Sequence, residues 1–200
     1  MSPILESIGS VKGFGWGALA AAGTYDSIST ITVGSGGSAS IEFTSIPSTY
    51  THLQIRSINQ SNRPTYSRDE FRMTMNSDTN PNYSWHNLIG TGSAADPGNA
   101  ISQQYILGQD CVGTGNGNFW GSFVLDILDY KNTNKSKTVR YIAGLDTNSA
   151  GVDGYNGSIS FGSGRYGPTN AITSIKFIPT SGTLWNQYTQ FALYGIKGSA

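Results

Sequence analysis

The sequence predicts an all-β protein: an antiparallel β-sandwich of jelly-roll type with an extended N-terminal arm. Three observations predict this class. Between Ile28 and Ile196, apolar and polar residues alternate in short stretches, a period typical of strands with one buried face. Clusters of Gly, Ser, Asn, Asp and Pro separate these stretches, as they do in sandwiches. No helical period of useful length occurs outside residues 1–24.

The chain divides into an N-terminal arm, residues 1–24, and a sandwich domain, residues 25–200. Glycines interrupt the arm, and Glu6 precedes Lys12, so the arm fits neither a signal peptide nor a membrane span. A glycine-rich segment is costly to order, and we expect it to dock on a neighbouring subunit. The alternative is an arm that folds back on its own domain. The predicted contacts of the arm are Ile4, Leu5, Ile8, Phe14 and Trp16.

The first two predicted strands precede Pro47. Ile28–Val33 forms a strand, and Gly34–Gly37 forms a turn in which glycine permits positive φ. Ala39–Phe43 then alternates again, and this spacing predicts a hairpin. Pro47 ends the second strand because proline cannot donate to a central ladder.

The central strands follow the same pattern. They are predicted at Leu53–Ile58, at Phe71–Met75 with its Phe and Met side chains buried, and at Tyr83–Ile89. A long loop is expected next, and it leads to a stretch at Ala100–Leu107. Phe119–Leu128 is the strongest strand, and since it is apolar on both faces near its end, we expect it to lie centrally.

The later strands are predicted at Val139–Leu145, Ile159–Phe161, Ala171–Ile178 and Gln190–Ile196. The total is about ten strands separated by turns, which favours a sandwich over a parallel α/β sheet. The jelly roll is the preferred topology. The alternating pattern does not give the order in which the strands pair.

The charge balance excludes some partners. Charged residues make up 12% of the chain, and twelve basic side chains balance twelve acidic ones. Nucleic acids and anionic membranes attract proteins with a net basic face, so we expect neither as a partner. The single cysteine, Cys111, excludes an internal disulfide.

The sequence predicts no catalytic, cofactor-binding or metal-binding residues. His52 and His86 lie on separate predicted strands, without a Cys, His or Glu at ligand spacing. Cys111 follows Asp110, whose charge raises a thiol pKa, so Cys111 is expected to be structural. Two oxygen-rich stretches, Asp78–Asn82 and Asp146–Asp153, fit Asx turns better than calcium loops, although calcium remains an alternative.

Two tyrosines are the best candidates for exposed contacts. Tyr155 and Tyr166 are bracketed by Gly and Asn, and an aromatic ring beside amides suits a glycan or a protein partner. A polysaccharide-degrading enzyme is a weaker hypothesis. Asp126 and Asp129 are the acids closest to a catalytic pair, but their odd spacing places them on opposite faces of a strand.

Three stretches resemble a diffuse family of small virion proteins of tailed bacteriophages, of the tail-fibre or capsid-associated type. They are Ile41–Ile55 (IEFTSIPSTYTHLQI), Leu125–Lys137 (LDILDYKNTNKSK) and Ala171–Ile196, which opens with AITSIKF and closes with FALYGI. The resemblance extends from Ile28 to the C-terminus. The order of the stretches is more specific than any one of them.

The resemblance implies a non-enzymatic β-sandwich on the exterior of a phage particle, often a homotrimer, whose N-terminal segment attaches it to other virion proteins. It implies no shared catalytic residues. Host-surface binding from the tail or fibre is the first expectation, with a host glycan or protein as partner. A capsid decoration protein that stabilises the head is the alternative.

Overall fold

The computed structural model describes residues 25–114, 118–148 and 153–198. These residues form an all-β, mostly antiparallel fold. The predicted arm, residues 1–24 with Ile4, Leu5, Ile8, Phe14 and Trp16, lies outside them. No helix long and apolar enough to cross a bilayer occurs in the three ranges. The strands are β1 (Tyr25–Thr32), β2 (Ile41–Phe43), β3 (His52–Ser61), β4 (Arg68–Met75), β5 (Tyr83–Gly90), β6 (Ala95–Gln103), β7 (Ile106–Gly113), β8 (Gly121–Leu128), β9 (Lys137–Asp146), β10 (Gly157–Tyr166), β11 (Ile175–Pro179) and β12 (Gln190–Ile196).

The strands form two layers. The large sheet has the order β1-β12-β3-β8-β9-β10-β5-β6, and the small sheet has the order β2-β11-β4-β7. Neighbours within each sheet are antiparallel. A short parallel contact between β3 and β7, at Gln60–Val112 and Ser61–Gly113, joins the sheets along one side.

The strand order confirms the jelly-roll prediction. In an eight-stranded jelly roll the chain passes repeatedly between two sheets, so the first strand lies beside the eighth, the third beside the sixth and the fourth beside the fifth. In this chain β2 takes the place of the first strand and β11 that of the eighth. Here β2 pairs with β11, β4 pairs with β7, and β5 pairs with β6. A meander of β8, β9 and β10 takes the place of the seventh strand, and its first strand, β8, pairs with β3. Strands β12 and β1 extend the large sheet beyond β3.

Aromatic rings from both sheets meet in the core. Phe71 on β4 stacks on Phe123 of β8 with ring centroids 4.7 Å apart, and Phe177 on β11 lies 5.0 Å from Phe191 on β12. The predicted buried face of the fourth strand is confirmed, because every second residue of β4 is buried. β8 and β9 show the same alternation, which leaves their other face on the outside of the sandwich.

Two predictions about the pairing and the bounds of strands are wrong. The first two strands form no hairpin: β1 pairs with β12 in the large sheet and β2 with β11 in the small sheet. A period of two fixes which face of a strand is buried but not its partner. The loop expected before Ala100 contains the strand β6, and its Pro97 is tolerated because β6 lies at the edge of the sheet.

Candidate functional site

The outer face of the large sheet carries a row of apolar side chains. In register, Val124 on β8 faces Ile142 on β9, which faces Phe161 on β10, which faces Leu88 on β5. These side chains are 36%, 42%, 53% and 48% exposed. Outer positions on a sheet with one buried face are normally polar. The row therefore departs from the pattern that solubility alone favours.

A second row extends this surface. Ile58 on β3 faces Ser122 on β8, and along the same row Ile159 on β10 faces Gly144 on β9. Ile58 is 55% exposed and Ile159 49% exposed. The six exposed apolar side chains of the two rows are called the apolar band here: Ile58, Leu88, Val124, Ile142, Ile159 and Phe161.

The apolar band is comparable in area to the largest exposed apolar patch of a typical monomer. A large side chain that is fully exposed presents roughly 150–200 Å², so six half-exposed ones present about 500 Å². The largest patch on a typical monomer is about 300–600 Å² and is often functional. A depression of about 640 Å³ lies over the band beside Arg56 and Trp120. A second, of about 360 Å³, lies between His86, Leu88 and Phe161.

A polar row borders the apolar band. Gln54 Nε2 donates to Asp126 Oδ1 at 2.9 Å, and Arg140 Nε donates to Asp126 Oδ2 at 3.1 Å. Arg56 Nε donates to Gln54 Oε1 at 2.9 Å. These four side chains, Gln54, Arg56, Asp126 and Arg140, are called the polar row here. Gln54 itself is buried, and its hydrogen bonds orient the Arg56 guanidinium and the Asp126 carboxylate at the surface.

Two tyrosines flank the polar row. The guanidinium carbon of Arg56 lies 5.3 Å from the ring centre of Tyr194 and 5.8 Å from that of Tyr25. These distances are within the range of cation–π attraction. Tyr25 is about half exposed. The polar row therefore offers guanidinium and carboxylate groups, together with an aromatic ring, to a partner.

The two tyrosines predicted as surface contacts lie elsewhere. The prediction for Tyr166 is wrong: it is 3% exposed, and its ring stacks on Tyr83 with centroids 4.9 Å apart. Burial, together with the neighbouring Tyr83 and Asp78, raises the pKa of Tyr166. The flanking glycines suggested a loop, but Tyr166 ends β10 on its inner side. Tyr155 is half-buried, with its ring 5.9 Å from the Arg68 guanidinium.

Two buried carboxylates were not predicted from the sequence. Asp110 accepts hydrogen bonds from Ser158 Oγ at 2.6 Å and from Ser160 Oγ. Asp69 accepts from Ser61 Oγ at 2.6 Å and from the Gly182 amide at 2.9 Å. Both carboxylates are fully buried. Since their oxygens are occupied by donors of the fold, these acids join strands and loops.

The residues considered for metal or thiol chemistry have structural contacts. No group of three or more His, Cys, Asp and Glu side chains that could hold a metal occurs in the described part of the chain. His52 Nδ1 accepts from the Asp129 amide at 2.9 Å. Cys111 is buried on β7, not in a loop as its glycine-rich surroundings suggested. Burial, together with the charges of Asp69 and Asp110, raises the pKa of its thiol.

The first oxygen-rich stretch forms an Asx turn. Asp78 Oδ1 accepts from the Asn80 amide at 2.8 Å, and Oδ2 accepts from Asn82 Nδ2 at 2.7 Å. In the second stretch, Asp146 Oδ1 accepts from the Asn148 amide at 2.7 Å. Turn formation accounts for these oxygens in both places.

No family model matches this sequence, and no curated protein matches it. Among solved structures, a fructofuranosidase variant from Schwanniomyces occidentalis complexed with fructosylnystose matches at 7% identity and a TM-score of 0.20, over 87% of this chain and 33% of its own. The CBM2 module of an evolved Dit of Lactobacillus casei BL23 phage J-1 matches at 10% identity and a TM-score of 0.24, over 80% of this chain and 70% of its own. Both similarities are weak, and neither assigns the chain to a family.

Proposed function

We propose that this chain is a non-enzymatic structural subunit on the exterior of a tailed-phage virion, with host-surface binding from the tail or fibre as its task. The observation that carries the proposal is the outer face of the large sheet, where the apolar band lies beside the ordered polar row. An exposed apolar patch of this size is often a binding surface. The sequence resemblance to small virion proteins supports the setting.

The chemistry of the outer face supports binding rather than catalysis. Asp126, the acid of the polar row, is held by Gln54 and Arg140. A glycosidase needs one carboxyl group free to protonate the leaving oxygen and a second at a set distance across the bond. The buried acids Asp69 and Asp110 are bonded to hydroxyl and amide donors of the fold.

The polar row is the part of the face that suits a host glycan or a polar protein surface. Arg140 is 67% exposed, and its guanidinium donates to Asp126 through Nε. A guanidinium fixed in this way presents its remaining N–H groups without further ordering. Arg56 is held by Gln54 in the same manner.

The experiment is an adsorption assay with the purified full-length chain. The chain is expected to bind host cells and to compete with phage adsorption. The double variant Arg56→Ala/Arg140→Ala is expected to lose at least tenfold in apparent affinity. Lys176→Ala removes one exposed positive charge from the small sheet and is the control. Binding by none of the three proteins contradicts the host-surface role, and equal binding by all three contradicts the assignment of the polar row as the contact.

The apolar band favours a second candidate, a capsid decoration protein. Aliphatic side chains such as Ile142 and Ile159 pack well against another protein but offer sugars no hydrogen bonds. Immunogold labelling of intact particles separates the candidates. Label at the tail tip supports attachment, label over the whole head supports decoration, and absence of label from purified particles contradicts both.

A further inference from the structure

We propose that the apolar band of one copy receives the N-terminal segment, residues 1–24, of a neighbouring copy, so that the chains associate head to tail. This inference rests on the proposed structural role and names the partner of the apolar band. Three features carry it: the area of the band, the composition and reach of the segment, and the end of β1 from which the segment leaves.

The area of the band suits a protein contact. A stable interface buries about 800 Å² on each partner, with an apolar centre and a polar rim. The band supplies about 500 Å² of apolar surface. The polar row and Trp120 lie at its border and supply the rim.

The composition of the N-terminal segment matches the band. The segment contains Ile4, Leu5, Ile8, Phe14 and Trp16, and Glu6 and Lys12 are its only charged side chains. The six residues of the apolar band are all uncharged. Docking therefore buries apolar area on both sides with little desolvation of charge.

The reach of the segment is sufficient. The band crosses the neighbouring strands β3, β8, β9, β10 and β5, which at about 4.8 Å between strands span roughly 20 Å. Residues 4–16 extend to about 40 Å at 3.3 Å per residue, and residues 17–24 add a tether of about 25 Å.

The register of β1 favours the band of a neighbour over the band of the same chain. The two rows of the band continue across β3 and β12 to Thr30 and Thr32, near the C-terminal end of β1. Tyr25 begins β1 at the opposite end, where it pairs with Ile196. Residue 24 is therefore attached at the end of the sheet farther from the band, and reaching its own band requires the chain to reverse.

A contact between two different surfaces of identical chains is heterologous, and it closes into a ring when the rotation allows. The homotrimer implied by the resemblance to small virion proteins is one such ring. A heterologous contact can be tested, because each copy contributes one arm and one band, and each of these surfaces can be altered by substitution without altering the other.

The test is sedimentation velocity of four full-length proteins. The wild-type chain has a mass of 21.3 kDa and is expected to sediment as an oligomer, at a multiple of that mass. The arm variant Phe14→Ser/Trp16→Ser and the band variant Ile142→Ser/Phe161→Ser are each expected to be monomers, with at least a tenfold weaker self-association. Ile101→Ser, at a 70% exposed position on the edge strand β6 outside the band, is the control and is expected to remain oligomeric.

The decisive sample is an equimolar mixture of the arm variant and the band variant. The first retains an intact band and the second an intact arm, so the mixture is expected to form a 1:1 pair. Failure of the pair to form, with both variants folded by circular dichroism, overturns the inference. An arm variant that remains oligomeric also overturns it and points to band-to-band association. A monomeric wild type also overturns it, and indicates either an arm docked on its own chain or a different virion protein as partner. None of these results bears on the labelling experiment, so the virion role is tested separately.

Discussion

The ring of Phe71 lies directly over the backbone of Gly108 on the neighbouring strand. The two residues are register partners on β4 and β7, and a Cβ placed on Gly108 would lie 1.9 Å from Cζ of Phe71. The same ring stacks on Phe123 across the sandwich and meets Phe177 at 5.7 Å. Gly108 therefore provides the space in which the central aromatic cluster packs.

Gly108→Ala is expected to destabilise the fold by about 1–3 kcal/mol, because the ring must leave its packed position. Urea denaturation of the two proteins measures the difference. Gly34→Ala is the control, since a Cβ there meets nothing within 4 Å, and its effect is expected to stay within about 0.5 kcal/mol. Equal effects of the two substitutions would contradict the packing argument.

Lys137→Met is expected to loosen the loops that follow β8 and β10. Lys137 is fully buried, and its Nζ donates to the carbonyls of Asn132, Lys135 and Thr169. Methionine fills a similar volume but donates nothing, so the carbonyls lose their partner at a cost of about 1–3 kcal/mol.

The measurement for Lys137→Met is thermal unfolding together with hydrogen exchange of the two loops. Lys131→Met changes an exposed lysine near the same turn and is the control. Faster exchange confined to residues 131–136 and 167–173 is the expected pattern. Unchanged exchange in the Lys137 variant would mean that these hydrogen bonds do not order the loops.

Cys111 is expected to be unreactive in the folded protein. Its side chain is fully buried, and the raised thiol pKa leaves little thiolate at neutral pH. Titration with an aromatic disulfide reagent at pH 7 is expected to show no fast-reacting thiol in the native chain and one after denaturation in guanidinium. A native thiol that reacts as fast as free cysteine would contradict the burial of β7.

Asp153 is expected to stabilise the folded state at neutral pH and to lose this effect in acid. Burial alone would raise the pKa of this carboxyl, but hydrogen bonds from Ser67 Oγ at 2.6 Å and the Ser67 amide at 3.2 Å lower it. A carboxyl with a lowered pKa in the folded state stabilises that state above its unfolded pKa of about 3.9. The contribution is lost as the pH falls through the lower folded value.

Asp153→Asn is therefore expected to be less stable than wild type at pH 7 and equal to it below the folded pKa. Urea titrations at a series of pH values between neutral and strongly acidic measure this convergence. Asp96→Asn, on the exposed edge strand β6, is the control. A stability difference that persists unchanged into acid would show that Asp153 acts through packing and not through its charge.

The sequence predicted what depends on local alternation. The buried faces of β4, β8 and β9 follow from a period of two, which requires no knowledge of partners. The apolar band leaves a partial signal in the sequence, because β8 is apolar on both faces near its end. On β10 the alternation predicts the wrong face, since Ile159 and Phe161 are exposed and Ser160 is buried. Recognising the band required the register that aligns these positions on neighbouring strands.

The sequence did not predict what depends on distant partners. Asp110 is bonded by Ser158, which lies 48 residues away along the chain. No local pattern in the sequence indicates that Asp110 is buried or that hydroxyl groups donate hydrogen bonds to both of its carboxylate oxygens. Tyr166 was misplaced for a related reason, since its glycine neighbours suggested a loop while Tyr83 on β5 provides the buried surface against which it stacks.

The pairing of β1 with β12 has a consequence for biosynthesis. β12, the partner of the first described strand, is the last described strand to be made, and it also separates β1 from β3. Until β12 has emerged from the ribosome, β1 has no neighbour and β3 has only β8 beside it in the large sheet, so this sheet cannot be completed earlier. A chain that lacks β12 would expose both edges of β1 and one edge of β3, and such a chain is a substrate for aggregation or proteolysis rather than for assembly.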